Sequence, residues 1–597
     1  MLTTFRRLFL QSLALVSLSA LLRCAPAPAP RDLAPPPPAG RVVLISFDGV
    51  AGQRLDAMLD DPAKLSAGAF RRIAARGFHA VRSLPPTPSL TAVSHITHVT
   101  GALPQTTGIV SNSMLDPTRP FGAIISGFAA PIRAETLWQA ARRQGKRVGV
   151  MLYPGADGNG PERTADWMMT WPGEPLVSGR LHAVAASAWK PASDGGARSF
   201  SPTRTTALPF AKTEHSVAFV ALDGTDDRRV DYDRLLVRPE SGQVREVRVG
   251  EWFPVEVPSE EGRTGAWCKV LELSPDLTTA EIYVGPLSRS TGVPREWVRR
   301  LDEEIGFWPG VPDTKAFGEK SPRPELFLEQ AERLVDFLTR ADLVAISRRD
   351  WDLLLIYQPE VDETSHEFLL VDPAQSRFTP ERSARDLAFV EKSYALADSS
   401  LDAIERALSE RDSIFVTSDH GMTAIFADVA INRVLRDAGL VTIGENGKAS
   451  SASAVLAVTA SGIAHVHRNP SAPPGAIDRA EQVLRAFRFR GETPFDRVVR
   501  REEAGELGLD APESGDLIVL ARPGFLFVGS ADGEPVRDVH SLGGHGYRNV
   551  YPQLDATFLA AGPGIARERV ETIGSWQIAA RVAKALGIAP PRQAAPP

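Results

Sequence analysis

Residues 41–50 read "RVVLISFDGV", an uninterrupted apolar run that ends in Asp48 and Gly49. A strand that is apolar on both faces is typical of a parallel sheet covered by helices on each side. Similar runs recur at 147–152, 352–362, 413–421 and 556–564, and helical periodicity separates them, as in 324–341 and 384–410. This alternation predicts an α/β fold with a mostly parallel central sheet.

Carboxylates and imidazoles follow several of these predicted strands. In open parallel sheets, ligands bind beyond the carboxyl ends of the strands, where such side chains would meet. Taken singly, each has a structural explanation, because Asp caps helices and a His between glycines often belongs to a turn. Taken together, three carboxylates and three imidazoles indicate a metal centre, and these ligand types suit Zn²⁺. The six residues are Asp48, Asp362, His366, Asp419, His420 and His545.

The stretch "SLTAVSHITHVTGALPQTTGIVSN" (89–112) places many small polar residues between apolar ones. It predicts a helix from Thr91 to about Thr100. One interpretation of Thr91 is purely structural, because Ser and Thr are common at helix starts. The other is chemical, since a hydroxyl at a helix N-terminus lies where free N–H groups favour an anionic substrate.

Length, charge and cysteine content limit the function classes. The chain has 597 residues, a net charge of −6 and two cysteines. The length suggests two or more structural units, and the acidic balance argues against binding of nucleic-acid polymers, which usually requires a basic face. Two cysteines cannot form a disulfide framework or a thiolate zinc cluster, so imidazole and carboxylate must hold any metal.

Residues 1–24 have the features of a secretory signal peptide. Two arginines precede an apolar run over 8–22 that is too short for an ordinary membrane span, and a Pro/Ala-rich tether follows over 25–40. Cys24 stands where a bacterial lipoprotein carries its lipidated cysteine, although Arg23 is a poor fit for the small residue expected before it. We therefore expect an exported protein, periplasmic or associated with the outer membrane or cell surface, with a lipid anchor as the alternative to simple export.

Residues 200–300 differ from the rest, because short β-rich runs are separated there by Gly, Asp, Pro and Ser. This pattern predicts an inserted β-rich module that divides the catalytic domain into 41–199 and 301–590. Loops at the carboxyl edge of a sheet often carry function, so we expect the module to roof the metal centre and restrict substrate size. The alternative is a remote decoration or an oligomer contact.

Several motifs resemble the nucleotide pyrophosphatase/phosphodiesterase branch of the alkaline phosphatase superfamily, over about 41–190 and 325–590. In that branch the nucleophile is a Thr that opens a helix before a V-T-G turn. "TAVSH" (91–95) followed by "VTG" (99–101) is similar, although it lacks the Pro and Asn of the family pattern. The resemblance implies that Thr91 is the nucleophile.

Two further segments carry the resemblance. "TGIVSN" (107–112) is similar to the segment in which the family has an Asn that donates to a non-bridging oxygen of the substrate, which implies this role for Asn112. "DETSH" (362–366) is similar to the family's D-x-x-G-H, with Ser365 in place of Gly. These motifs occur in the order that the family shows.

The resemblance implies an alkaline phosphatase-like α/β/α sandwich and an exported hydrolase of small phosphodiesters or nucleotide pyrophosphates. It implies two Zn²⁺ ions per chain and a phosphothreonine intermediate. One ion would be bound by Asp48, Thr91, Asp419 and His420, and the other by Asp362, His366 and His545. The leaving group stays open between a nucleotide, a glycerophosphodiester, a lipid headgroup and a wall-polymer fragment.

Two alternative functions remain. A phosphate monoesterase on the same scaffold would resemble relatives that carry a Lys-x-Arg pair after the third strand, but residues 153–169 contain no Lys and only Arg163. A non-catalytic, metal-free surface-binding protein would not need the complete ligand set. Of the other histidines, His540 is a candidate for supporting a metal ligand, and His465 and His467 are interpreted as the outer face of a strand.

Overall fold

The computed structural model describes residues 40–173, 175–192, 198–313, 323–444 and 448–597. The predicted signal peptide, Cys24 and almost all of the tether lie outside the described residues. None of the helices in the described part of the chain combines the length and the hydrophobicity that crossing a bilayer requires.

The first part of the chain, up to residue 173, alternates strands with short helices. Its strands are β1 (Val42–Phe47), β2 (Phe78–Leu84), β3 (Ser113–Leu115), β4 (Ile124–Ser126), β5 (Val148–Met151) and β6 (Trp167–Thr170). Its helices are α1 (Gly52–Leu59), α2 (Ala69–Arg76), α3 (Thr91–Thr100), α4 (Pro104–Thr107) and α5 (Leu137–Arg143). Helix α3 has the predicted bounds, and it ends at Gly101, whose left-handed φ of 69° suits glycine.

The next part, up to residue 313, is rich in strands. They are β7 (Arg180–Ala185), β8 (Lys190–Pro191), β9 (Arg204–Pro209), β10 (Ser216–Leu222), β11 (Arg234–Arg238), β12 (Arg245–Val247), β13 (Trp252–Val257), β14 (Thr264–Leu273), β15 (Thr279–Val284), β16 (Ser288–Arg289) and β17 (Thr291–Val293), followed by helix α6 (Arg295–Ile305). Strands β7 to β16 form two sheets that share one hydrophobic core. We call β7 to β16 the β-rich module; it begins before the predicted residue 200.

The remaining elements complete the α/β part and add a second small core. Between 323 and 444 they are α7 (Pro324–Ser347), β18 (Leu353–Gln358), α8 (Glu360–Phe368), α9 (Pro380–Ala407), β19 (Ser413–Thr417), β20 (Thr423–Ala424), β21 (Ala427–Ala430) and α10 (Ile431–Asp437). From 448 they are β22 (Val455–Ala460), β23 (Ile463–Arg468), α11 (Ala476–Ala486), β24 (Phe495–Arg500), β25 (Leu517–Ala521), β26 (Phe525–Val528), β27 (Val536–Arg537), β28 (Gly543–Gly544), β29 (Ala556–Ala561), β30 (Glu568–Gly574) and α12 (Ile578–Leu586).

A nine-stranded sheet organises the α/β part, in the order β17-β6-β5-β18-β1-β19-β29-β2-β30. The five strands from β6 to β19 are parallel, as predicted, and every residue of β1, β18 and β19 is buried. Strand β29, which covers most of 556–564, is antiparallel to both of its neighbours, so its carboxyl end does not point to the site edge. Helices α2, α7 and α9 form one packed group, and α3, α5 and α12 form another. The fold is therefore the predicted α/β class.

A second core, which sequence patterns did not reveal, occupies most of residues 425–554. Strands β22, β23, β25 and β24 form an antiparallel sheet there, and helices α10 and α11 pack with it around a separate apolar cluster. The interpretation of His465 and His467 as an outer strand face is wrong, because both side chains are buried. His465 accepts a hydrogen bond from the backbone N–H of Gly515 at 3.1 Å.

Helix α7 fastens the β-rich module to the α/β part. The guanidinium carbon of Arg333 lies 3.9 Å from the ring centroid of Trp252 and 4.5 Å from that of Trp267, both in the module. One turn earlier on the helix, Glu329 accepts a hydrogen bond from the Trp252 indole at 2.7 Å and pairs with Lys269. These contacts fix the module against a helix that leads directly into β18.

Substitution of Arg333 should loosen this attachment. We expect Arg333→Ala to lower the free energy of unfolding by about 0.5–2 kcal/mol, because two cation–π contacts are lost, measured by urea unfolding with tryptophan fluorescence. Arg340→Ala is the control on the same helix. Within the described ranges Arg340 makes an exposed ion pair with Asp336 and a long contact with the Ile305 carbonyl, so its loss should change stability by less than about 0.5 kcal/mol. Equal losses in both variants would contradict this account.

Candidate metal centre

Three neighbouring parallel strands bring three carboxylates to one edge of the sheet. Strand β1 pairs with β18 on one side and with β19 on the other, so all three end together. Asp48 follows β1, Asp419 follows β19, and Asp362 lies in the first turn of α8, just after β18. All three side chains are buried.

Three histidines direct the same ring nitrogen into this space. The Nδ1 atom of His366 lies 2.9 Å from the carbonyl oxygen of Gly543, that of His420 lies 3.2 Å from its neighbour's carbonyl, and that of His545 lies 3.0 Å from the Ser89 carbonyl. A carbonyl only accepts, so each Nδ1 carries a proton and each Nε2 is the ring nitrogen that remains for a metal. This orientation is typical of histidines that bind metals.

The ligand atoms form two adjoining groups. Asp48, Asp419 and His420 each offer an atom within 4.8 Å of the others, and so do Asp362, His420 and His545. His366 adjoins the second group, because its Nε2 lies 3.3 Å from Asp362 Oδ2. The rings of His420 and His545 stack with centroids 3.7 Å apart, which makes the two groups neighbours.

Asp48 and Asp419 each accept hydrogen bonds at one carboxylate oxygen. Asp48 Oδ2 accepts a hydrogen bond from the Tyr357 hydroxyl at 2.6 Å, and Asp419 Oδ1 accepts one from the N–H of Gly49 at 3.2 Å. The buried atoms Asp48 Oδ1, Asp419 Oδ2 and Asp362 Oδ1 accept no hydrogen bond from the described residues. Buried anionic oxygens without donors are costly, and a divalent cation is the partner that this donor set fits.

The charges perturb one another strongly. Burial, followed by repulsion from Asp419 and Asp362, raises the pKa of Asp48 well above its ordinary value. Burial also acts to raise the pKa of Asp419, but the positive charge of His420 outweighs it and the pKa is lowered. Burial lowers the pKa of His545 to about 3, which keeps its imidazole in the neutral form that binds metals.

Thr91 lies beside this cluster at the first position of α3. Its hydroxyl is 3.4 Å from His420 Nε2, and the residue is 8% exposed and lines the adjoining cavity. The ring of His95 donates to the Thr91 carbonyl at 2.8 Å and accepts from the Ser46 hydroxyl at 2.9 Å, so it anchors the start of the helix. Asn112 Oδ1 accepts from the N–H of Ala92 at 2.9 Å.

The structure therefore brings together the sequence-predicted site residues. It does not bring His540 into the cluster, because that ring is exposed and bonds to Asp428 Oδ2 at 2.6 Å.

A cavity of about 430 Å³ opens beside Thr91, and its lining contains no residue of the β-rich module. The module contributes Pro286, Ser288 and Arg289 to an adjoining cavity of about 650 Å³, so it does not roof the ligand cluster directly as expected.

Sequence reasoning missed two supporting residues. Ser89 accepts at its carbonyl oxygen from His545 Nδ1, and at its hydroxyl from the N–H groups of Gly546 and Tyr547, at 3.2 and 3.1 Å. Tyr357 holds Asp48 through its hydroxyl. Two sequence features could have indicated these residues: a Tyr among the aliphatic residues of β18, and a Ser two residues before Thr91.

Comparison with known proteins identifies the family of the chain. The sequence matches the type I phosphodiesterase/nucleotide pyrophosphatase family over residues 42–245 and 267–548, which is most of the chain. The chain belongs to this family. The match includes most of the β-rich module, which the motifs alone had left outside the resemblance. The family belongs to the alkaline phosphatase superfamily.

Solved structures similar to this family member include two mammalian proteins. Murine ectonucleotide pyrophosphatase/phosphodiesterase 5 is 16% identical, with a TM-score of 0.48 over 93% of this chain and 96% of the murine chain. The human protein of the same name is 15% identical, with a TM-score of 0.49 over 92% and 96% of the two chains. No curated protein matches the chain.

Membership in this phosphodiesterase family makes the chain a phosphoric ester hydrolase of the phosphodiesterase type. The family is metal-dependent, and the half-satisfied carboxylates and oriented imidazoles provide groups that could hold a metal.

The contact between Tyr357 and Asp48 should tune metal affinity in this phosphodiesterase. We expect Tyr357→Phe to weaken divalent-metal binding about 10–100-fold, because a supporting hydrogen bond to a candidate ligand is lost, measured by competition with a chelator. Tyr394→Phe is the matched control, because among the described residues that buried hydroxyl accepts only from the N–H of Ala51, at 3.0 Å. It should cost about 1 kcal/mol of stability and leave metal affinity unchanged. Unchanged affinity in Tyr357→Phe would refute the assignment.

Proposed function

We propose that this family member is an exported, two-zinc phosphodiesterase that acts through a phosphothreonine at Thr91. The observation that carries the proposal is the position of the Thr91 hydroxyl, which opens helix α3 within 3.4 Å of His420 Nε2 and faces the cavity. Asp48, Thr91, Asp419 and His420 would hold one ion, and Asp362, His366 and His545 the other. Such ions, when bound, lower the pKa of a hydroxyl and offset the charge of the phosphoryl oxygens.

Thr91 needs both activation and orientation, because a threonine hydroxyl is a weak nucleophile at its ordinary pKa. The hydrogen bond from His95 to the Thr91 carbonyl supports the orientation, since it fixes the backbone that carries the hydroxyl. In the proposed reaction the Thr91 oxygen displaces one alcohol of the diester and becomes phosphorylated. Water then hydrolyses this ester and restores the hydroxyl.

Asn112 is proposed to support the same step, because its side chain contacts the backbone of the residue that follows Thr91. Its Oδ1 accepts a hydrogen bond from the N–H of Ala92, and in the proposed reaction its NH₂ group, which makes no hydrogen bond with the described residues, donates to a non-bridging phosphoryl oxygen. The N–H groups of the first turn of α3 favour an anion at the same place. A single such donor contributes about 2.7–4 kcal/mol to the transition state in comparable enzymes.

A diester is favoured over a monoester by the charges around the cavity. A dianionic phosphoryl group requires additional cations, and the lining of the cavity beside Thr91 contains no Lys or Arg among the described residues. Arg163 is not available, because it is buried, binds Asp157 at 3.0 Å and donates to the carbonyl of Ala130 at 2.7 Å. The substrate is therefore proposed to be a small phosphodiester, and neither a nucleic-acid polymer nor a membrane beyond an N-terminal anchor is a proposed partner.

Thr91→Ala should abolish hydrolysis of bis-p-nitrophenyl phosphate, with a loss of at least about 10³-fold in kcat, because the reacting oxygen is gone. Thr91→Ser keeps a hydroxyl at the same position and should retain measurable turnover. Acid-quenched digests of the wild-type protein should yield a phosphorylated peptide that contains residue 91, detected by mass spectrometry. Full activity of Thr91→Ala would refute the mechanism.

The second ion can be tested by metal analysis. We expect Asp362→Ala, His366→Ala and His545→Ala each to lower bound zinc from two equivalents toward one, because each removes a ligand of the same ion. His540→Ala is the control, since its ring lies outside the cluster and bonds to Asp428. Two full equivalents in all three ligand variants would show that the second ion is bound elsewhere.

A further inference from the structure

A group of polar side chains lies where helices α7, α8 and α9 pack against one another beside the end of β18. Its members are Thr339 and Asp342 on α7, Gln358 at the end of β18, Glu360 and Thr364 on α8, and Ser400 on α9. All but Thr339 are buried, and none of them lines the cavity beside Thr91. We call these six residues the interhelical polar cluster.

Hydrogen bonds fix the orientation of the Gln358 amide in this cluster. Its Nε2 donates to Asp342 Oδ2 at 3.0 Å and to the Ser400 hydroxyl at 2.7 Å, which uses both of its protons. The Thr339 hydroxyl donates to the Val335 carbonyl at 2.7 Å and lies 2.7 Å from Ser400 Oγ, so neither hydroxyl is left to donate to a carboxylate. The carbonyl oxygen of the amide, Gln358 Oε1, is buried and accepts no hydrogen bond from the described residues.

The interhelical polar cluster contains two carboxylates and no cationic side chain. Both carboxylate oxygens of Glu360 are buried without a donor, and within the described ranges no Lys, Arg or His forms an ion pair with Glu360 or Asp342. Burial raises the pKa of Asp342 well above its ordinary value, the hydrogen bond from Gln358 opposes this shift, and repulsion from Glu360 adds to it. Buried carboxylates in this situation either bind a cation or stay protonated.

The unused ligand atoms of the cluster are all oxygens. Besides the carboxylates they include the Gln358 carbonyl and the hydroxyl of Thr364, which lies one turn after Glu360 and is also buried without a partner. Calcium takes about six to eight oxygen ligands in irregular geometry, whereas zinc prefers nitrogen or sulfur, and magnesium requires a nearly regular octahedron and keeps its waters. Two carboxylates also balance the charge of one divalent ion.

We propose that the interhelical polar cluster is a structural calcium site, with Asp342, Glu360 and the Gln358 carbonyl as ligands. The inference goes beyond the proposed hydrolysis and does not depend on it, because none of the three residues lines the cavity beside Thr91. Glu360 shares the first turn of α8 with Asp362. A calcium ion held by Glu360 would therefore stabilise the turn that also carries a carboxylate of the candidate metal centre.

Calcium binding can be measured directly on the whole protein loaded with zinc. The protein is equilibrated with calcium chloride in the presence of excess zinc, desalted, and analysed for both metals by mass spectrometry. We expect one equivalent of calcium per chain, because excess zinc does not compete well for a site made only of oxygens. Calcium that excess zinc displaces would belong to the cluster around His420, and this result would overturn the inference.

Two variants that keep the side-chain shape each remove one charge. Asp342→Asn and Glu360→Gln should each weaken calcium affinity at least about ten-fold, because ligand charge sets the affinity of oxygen sites, and should leave the zinc content unchanged. Asp302→Asn is the matched control. Asp302 is a buried acid on α6 whose Oδ1 also accepts no hydrogen bond from the described residues, but it lies beside Arg263. This variant should bind calcium as the wild type does.

Thermal unfolding gives a second readout, which does not require calcium to enter the folded protein. Calcium should raise the Tm of the wild type and of Asp302→Asn by about 2–4 °C, and that of Asp342→Asn by less than about 1 °C. The inference fails if the wild type neither retains calcium nor shifts its Tm at up to about 5 mM calcium, which exceeds the weakest range of protein calcium sites. The two carboxyl groups would then be protonated instead. Equal calcium binding by the wild type and by both ligand variants would also overturn it.

Discussion

The crowding of three carboxylates in one buried space is the constraint on which the site depends. Asp48, Asp362 and Asp419 repel one another, and among the described residues only histidines make ion pairs with them. Without a cation, this arrangement would oppose folding of the sheet edge that creates it. Two features fit a cation in this space. The histidines direct Nε2 toward the carboxylates, and one oxygen of each carboxylate accepts no hydrogen bond from the described residues.

The parallel strands explain why much of the site was predictable. Apolar runs that end in Asp48 or in Asp419 and His420 reveal both the strand and its functional end, because parallel neighbours terminate at one edge. The residues that position the ligands were not predictable in the same way. Ser89 acts through its carbonyl and a turn, and a hydrogen bond to the backbone leaves almost no trace in the sequence.

Two other features were not predictable from the sequence: the direction of a buried strand, and the packing of a second layer against a sheet. The run at 556–564 is as apolar as its neighbours, but β29 is antiparallel, since burial on both faces is compatible with either direction in the centre of a sheet. The sheet that contains His465 was also missed, because alternation along a strand does not reveal whether a second layer covers its polar face. The β-rich module was predicted from β-rich runs separated by turn residues, whereas two of its strands, β7 and β8, lie before residue 200.

The contact between Ser89 and the segment that carries His545 has a consequence for how the molecule is assembled. The hydroxyl-bearing helix is made early in synthesis, whereas its partner lies more than 450 residues later. Until that late segment has folded, Thr91 can lie at the start of its helix, but His545 is not in place next to Ser89. A chain that ends before residue 545 lacks His545 and also β29, the strand that joins β19 to β2 in the central sheet. The proposed centre and the sheet that supports it are therefore complete only when nearly the whole polypeptide is present.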